Sequence, residues 1–141
     1  MFLFLDNPFY AVISGIIYVL IVFLMVRKEK KYLKYGITIL FSILHLSFLY
    51  LWFDKIVYLM TSSNLELSTY NNFLRFVNVS YFVLLVPLLF VFAWYGIKKI
   101  LSQDQYLWLK SIFTIVYISA LIATLILGEL VFVILYYGFA P

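Results

Sequence analysis

No cysteine occurs among the 141 residues. Disulfides, thiolate catalysis, iron–sulfur clusters and cysteine-ligated zinc are thereby excluded. Charge is nearly as scarce. Asp, Glu, Lys and Arg make up 11% of the chain, against about 25% in an ordinary soluble domain. Histidine occurs once, at position 45, so one copy cannot supply the histidine pair that a b-type haem in a helix bundle usually needs. The recognised catalytic patterns are missing too. There is no HExxH zinc helix, phosphate-binding loop, dinucleotide fingerprint or nucleophile elbow. The helix-borne serines have no matching His–Asp set.

What remains is apolar. Hydrophobic residues account for 67% of the chain and aromatic residues for 22%. A water-soluble fold of this size could not hide that much apolar surface, so the solvent must be lipid. The net charge of +4 is no nucleic-acid footprint, because the basic residues cluster at the ends of apolar runs, as topology signals do. Four such runs predict helices at about 8–26, 33–53, 75–97 and 111–137. The expected fold is an all-α integral membrane protein forming one transmembrane domain over 1–141. It is a four-transmembrane-helix bundle, up-down-up-down, in a plasma membrane or an organellar energy-transducing membrane. Met1 to Asp6 lack a basic stretch and Val26 precedes charges, so the first run reads as a retained helix rather than a signal peptide.

Eight basic residues (Arg27, Lys28, Lys30, Lys31, Lys34, Lys98, Lys99 and Lys110) fall on one side of these spans and two, Lys55 and Arg75, on the other. The positive-inside rule then places both short turns in the cytoplasm and both termini on the outer side. Asp6 or Asn7 and Pro8 make a helix start. The residues from Asp54 to Leu74 read as the one long connection, with Asn71 and Asn72 as caps. Pro87 removes a backbone donor near mid-membrane and frees the carbonyl of Val83. Tyr50, Trp52, Trp94, Tyr95, Tyr136 and Tyr137 read as interfacial belts. Gly138 reads as a helix stop.

Ionisable groups inside a membrane are costly, so each is a functional-site hypothesis. Two stand out. His45 lies eleven residues beyond Lys34, roughly 16 Å along a helix and near the bilayer centre. Thr38, Ser42 and His45 share one helix face, which is expected to look toward protein. His45 is the candidate cofactor-binding residue for a haem or quinone contact. As a structural group it would bond the freed carbonyl of Val83. Glu129 lies nineteen residues beyond Lys110, roughly 28 Å along its helix and near the far interface. Its expected role is an ion pair with Arg75. Asn78 is a further intramembrane polar group. No catalytic or metal-ligating residue is assigned, no cofactor is required, and His45 and Glu129 lie at depths too different for a dyad.

Two sets of small residues are candidate helix-packing positions, Ala11 with Gly15 and Ala120 with Thr124 and Gly128. These features together point to a non-catalytic accessory subunit of a larger membrane complex, respiratory or otherwise redox, whose partners are other integral membrane subunits and lipids. Two alternatives are a small oligomeric transporter or channel using Glu129, and a quinone- or haem-contacting module using His45.

Overall fold

A computed structural model describes residues 8–61, 67–104 and 106–138. Those residues form four α-helices: α1 (Phe9–Met25), α2 (Lys31–Thr61), α3 (Leu67–Leu101) and α4 (Leu107–Tyr136). Among the described residues there is no strand. Three of the helices, α2, α3 and α4, are long and apolar enough to cross a membrane, and α1 is a shorter apolar helix of 17 residues. The chain is therefore a helical membrane protein by length and composition. The expected cap at Asp6 or Asn7 lies outside the described residues.

The helices are longer than the apolar runs predict. Residues 54–61 continue α2, and 67–74 already belong to α3. The long connection expected from Asp54 to Leu74 shrinks to the interval between Thr61 and Leu67. Asn71 and Asn72 sit inside α3 rather than capping it. The reason is packing. Ile56 and Phe73 are both buried in the main core, so the apolar stripe of each helix runs on past the last charges and holds the added turns together. Pro87 lies within α3, which continues to Leu101. At the far end of α4, Gly138 adopts φ 79° and its amide bonds Ile134 O at 3.2 Å. This is the left-handed stop that glycine tolerates best.

α1 packs chiefly on α2 and α3 chiefly on α4, giving two antiparallel hairpins. They meet in a core at the Tyr136 end, built from Phe48, Trp52, Ile56, Phe73, Val77 and Tyr136. A smaller cluster toward the Lys34 end holds Val22, Phe41 and Leu88. These come from α1, α2 and α3, with no contribution from α4.

Aromatic donors join the helices. Tyr18 Oη donates to Leu84 O at 2.8 Å, from α1 to α3. Trp52 Nε1 donates to Tyr136 O at 2.9 Å, from α2 to α4. Tyr81 and Tyr117 cross between α3 and α4 in opposite directions, reaching Leu125 O at 2.6 Å and Phe92 O at 2.8 Å. Ser14 Oγ is also bonded to Tyr136 Oη. Because Ser14 donates its own proton to Ala11 O, Tyr136 is the donor. Trp52 and Tyr136 are thus core residues, 0% and 2% exposed, and not members of an interfacial belt. Each has an apolar ring to bury and one polar group to satisfy, and a main-chain carbonyl or hydroxyl of a neighbouring helix does this in the dry interior. Such bonds contribute about 0.6 kcal/mol each on average in a membrane, and up to about 1.7.

Candidate functional site

The buried positions of α2 are Phe41, His45, Phe48, Leu49, Trp52 and Ile56. Their three- and four-residue spacing is one helix face, and His45 stands in its middle. It is the only polar residue in the buried core of the described chain, 4% exposed. Its ring stacks on Tyr18 at 4.8 Å between centroids and 30° between planes, and meets the edge of Phe48 at 5.9 Å. Gly15 of α1 makes the close approach possible. A Cβ added there would lie 2.7 Å from His45 Cδ2 and 2.8 Å from Nε2.

Among the described residues, neither ring nitrogen has a hydrogen-bond partner. The sequence-based expectation was a bond to the Val83 carbonyl freed by Pro87. Instead, Tyr18 brings its hydroxyl to the next carbonyl, Leu84, and its ring covers the imidazole. His45 is left with one donor and one acceptor unspent in a setting where an unmet polar group costs on the order of 1–3 kcal/mol.

Two hollows border it. The larger, about 490 Å³, lies between α1 and α2. Its walls include Val12, Ile16 and Leu20, all exposed on the outer surface of α1, so the hollow is a groove open to the surrounding lipid. Thr38, Ser42 and His45 form its one polar wall. Thr38 Oγ1 donates to Lys34 O and Ser42 Oγ donates to Thr38 O, each at 2.8 Å. Both protons are committed, and both oxygens are left as acceptors. The smaller hollow, about 240 Å³, lies on the α4 side and is bordered by Ser14, Tyr18, Gly128 and Tyr136. A second histidine is not among the residues around either hollow, and no group of three or more His, Asp or Glu side chains that would hold a metal occurs among the described residues.

The other expected site residues fall elsewhere. Ala11 is buried in the main core beside Phe48 and Trp52. Gly128 packs under Tyr81, whose hydroxyl would be 2.6 Å from an added Cβ. Ala120 and Thr124 are exposed, so the expected strip divides, one member facing α3 and two facing away. Glu129 is half-buried and within electrostatic reach of Tyr81. Arg75 is exposed, with no ion pair joining it to Glu129 among the described residues. Asn78 Oδ1 is buried and has no hydrogen-bond partner among the described residues.

Tyr18, Tyr81 and Tyr117 are the residues that sequence reasoning missed. A tyrosine in the middle of an apolar run must satisfy its hydroxyl somewhere, and that was the available signal. Glycines accompany two of them. Gly128 accepts the Tyr81 ring, and Gly96 lies directly under Tyr117.

Comparison with family models, curated proteins and solved structures finds no match for this chain. Its class, a small helical membrane protein with a buried histidine that has no hydrogen-bond partner among the described residues, rests on the chain's own geometry.

Proposed function

We propose that this chain is a non-catalytic subunit of a larger membrane protein complex. One observation carries the reading. The most apolar stretch of α4 has no residue buried inside the chain, yet it is not a uniform lipid face. Ser119, Ala120, Ala123 and Thr124 are all exposed on it and fall on one side of the helix. Small and hydroxyl-bearing side chains let backbones approach closely and are enriched where membrane helices meet. A helix of another integral subunit fits this face better than acyl chains do.

On this reading α1 is the fourth crossing, and the charge asymmetry sets both short turns in the cytoplasm and both termini outside. A contact and a bond support a common end for those turns. Tyr95 of α3 lies within electrostatic reach of Glu29 of the α1–α2 turn, and Lys110 Nζ donates to Leu101 O at 3.0 Å across the α3–α4 turn. A respiratory or other redox complex, in a plasma membrane or an organellar energy-transducing membrane, is the assembly type that agrees with the His45 groove. The transporter reading has less support, because Glu129 packs beside Tyr81 at the α3–α4 contact.

A photo-crosslinking residue at position 124, with position 122 as the control, tests the proposal in native membranes. Position 124 is expected to give discrete adducts with an integral membrane protein, position 122 lipid adducts alone. Ala120→Leu is expected to abolish the protein adduct without changing the thermal midpoint of the isolated chain. Lipid adducts at both positions, with a chain that purifies as a lone monomer, would overturn it.

A further inference from the structure

We propose that the groove between α1 and α2 holds one acyl chain of an anionic phospholipid, whose phosphate head rests at Lys34. The inference takes α1 as a membrane crossing and holds with or without a partner subunit. Its first ground is the lining. The exposed wall is almost wholly apolar. Thr38 and Ser42 turn their hydroxyl protons to carbonyls of their own helix, and both His45 nitrogens are buried. A wall with no free donor suits a hydrocarbon chain. Val12, Ile16 and Leu20, exposed on α1, leave it open to the lipid side.

Length and charge narrow the class. The lining runs along α2 from Thr38 to Leu49 and along α1 from Val12 to Phe23. Each stretch advances eleven residues, roughly 16 Å of helix. Half of a hydrocarbon core about 30 Å thick is nearly the same depth, so the groove is one leaflet long. A cation stands at its interfacial end. Lys34 Nζ lies 5.3 Å from the ring centre of Phe23, a groove wall, and 4.7 Å from that of Tyr35. Ring faces attract an ammonium without neutralising its charge. No carboxylate pairs with Lys34 among the described residues, and Glu29, the acid of this turn, lies within electrostatic reach of Tyr95 of α3. Arg27, Lys28, Lys30 and Lys31 are exposed around the same turn. A lipid whose chain fills the groove therefore brings its phosphate into a field of uncompensated positive charge. That field favours an anionic head over a zwitterionic one, by about fivefold for each lysine or arginine engaged. The hollow of about 250 Å³ between α3 and α4 is the contrast. Its walls, which include Phe90 and Ile122, are apolar throughout, and it should take chains of either lipid alike.

The test uses the full chain in nanodiscs of equimolar phosphatidylglycerol and phosphatidylcholine with identical acyl chains. A photo-crosslinking residue is placed at position 20, in the groove, or at position 122, in the α3–α4 hollow. Mass spectrometry then counts the two lipids in the adducts. An excess of phosphatidylglycerol of about fivefold is expected at position 20, and none at 122. Lys34→Gln should remove most of the excess, and Lys34→Arg should keep it. Lys98→Gln combined with Lys99→Gln takes two charges from α3 at the same end and should leave the excess in place. Equal lipid ratios at positions 20 and 122 would overturn the proposal. So would an excess that survives Lys34→Gln, or one that the paired change on α3 removes as fully. Position 16, also on the groove wall, repeats the reading with the probe one turn deeper. Should Lys34→Gln fail to fold, the lipid ratios at 16, 20 and 122 in the otherwise native chain decide alone.

Discussion

Helices α2 and α4 are nearly equal in length, and they behave in opposite ways. The most apolar stretch of α2 has a mean hydropathy of 1.8 and is 28% buried within the chain, while that of α4 reaches 2.6 and is 0% buried. The less apolar helix is the more buried one, the reverse of a soluble fold. Lipid tails are as apolar as leucine, so apolarity alone gives no reason to leave the bilayer. Close fit and hydrogen bonding between helices do the work instead. At the Tyr136 end, where α2 and α4 meet, Trp52, Tyr136 and Phe48 pack edge to face and Trp52 bonds the α4 main chain. At the Lys34 end α4 has only α3, held through Tyr117.

The sharpest way to break that contrast is to remove Trp52. Trp52→Ala deletes the largest fully buried side chain among the described residues and removes the indole bond to Tyr136 O. The expected loss is about 3–5 kcal/mol, read from unfolding in mixed micelles. Trp52→Phe keeps most of the ring and should cost about 1 kcal/mol. Equal effects from the two would mean that volume plays no part in the contact.

Next in size is the contact of Gly128 with Tyr81. An alanine Cβ at position 128 would meet the Tyr81 hydroxyl at 2.6 Å, displacing it from Leu125 O. Gly128→Ala is expected to cost about 1–3 kcal/mol, and Gly128→Leu more. Glu129→Gln should cost less than either. Tyr81→Phe removes the clashing oxygen together with its bond and costs about 1 kcal/mol alone. The pair should be less harmful than the sum, with a coupling of at least about 0.5 kcal/mol. Strict additivity would show that Gly128 acts on something other than Tyr81.

Much of this architecture is legible in the residues. Four apolar runs, basic turns, Gly138 as a stop and His45 on an inward face can all be read from patterning, because each is a local property of one helix. What patterning misses is relational. The stripe through Ile56 and Phe73 extends two helices because the stripes meet each other, which neither run reveals by itself. Trp52 looks like a belt residue because its distance from the nearest charge suits an interface, and only the approach of Tyr136 makes it core. The bond expected at His45 fails for the same reason. Pro87 marks the carbonyl of Val83, but the way α1 lies across α3 takes the Tyr18 hydroxyl to Leu84 O instead and lays its ring over the imidazole.

The smallest expected effect tests the other side of the contrast. Leu127 is exposed on α4, and truncating it removes no packing inside the chain. Leu127→Ala should leave the stability of the isolated protein within about 0.5 kcal/mol, whereas Leu49→Ala, at a buried position of α2, should cost about 2–5 kcal/mol. Both helices carry a leucine in an apolar run, so hydropathy alone ranks the two changes as equals. A small effect at 127 and a large one at 49 means that burial by protein, rather than removal from water, sets the cost. Comparable losses would mean that α4 packs against something in the isolated chain and that its open face is closed in solution. Repeating the pair on the assembled complex separates lipid from partner. A cost at 127 that appears only in the complex places a protein helix on that face, and its absence there leaves the face to lipid.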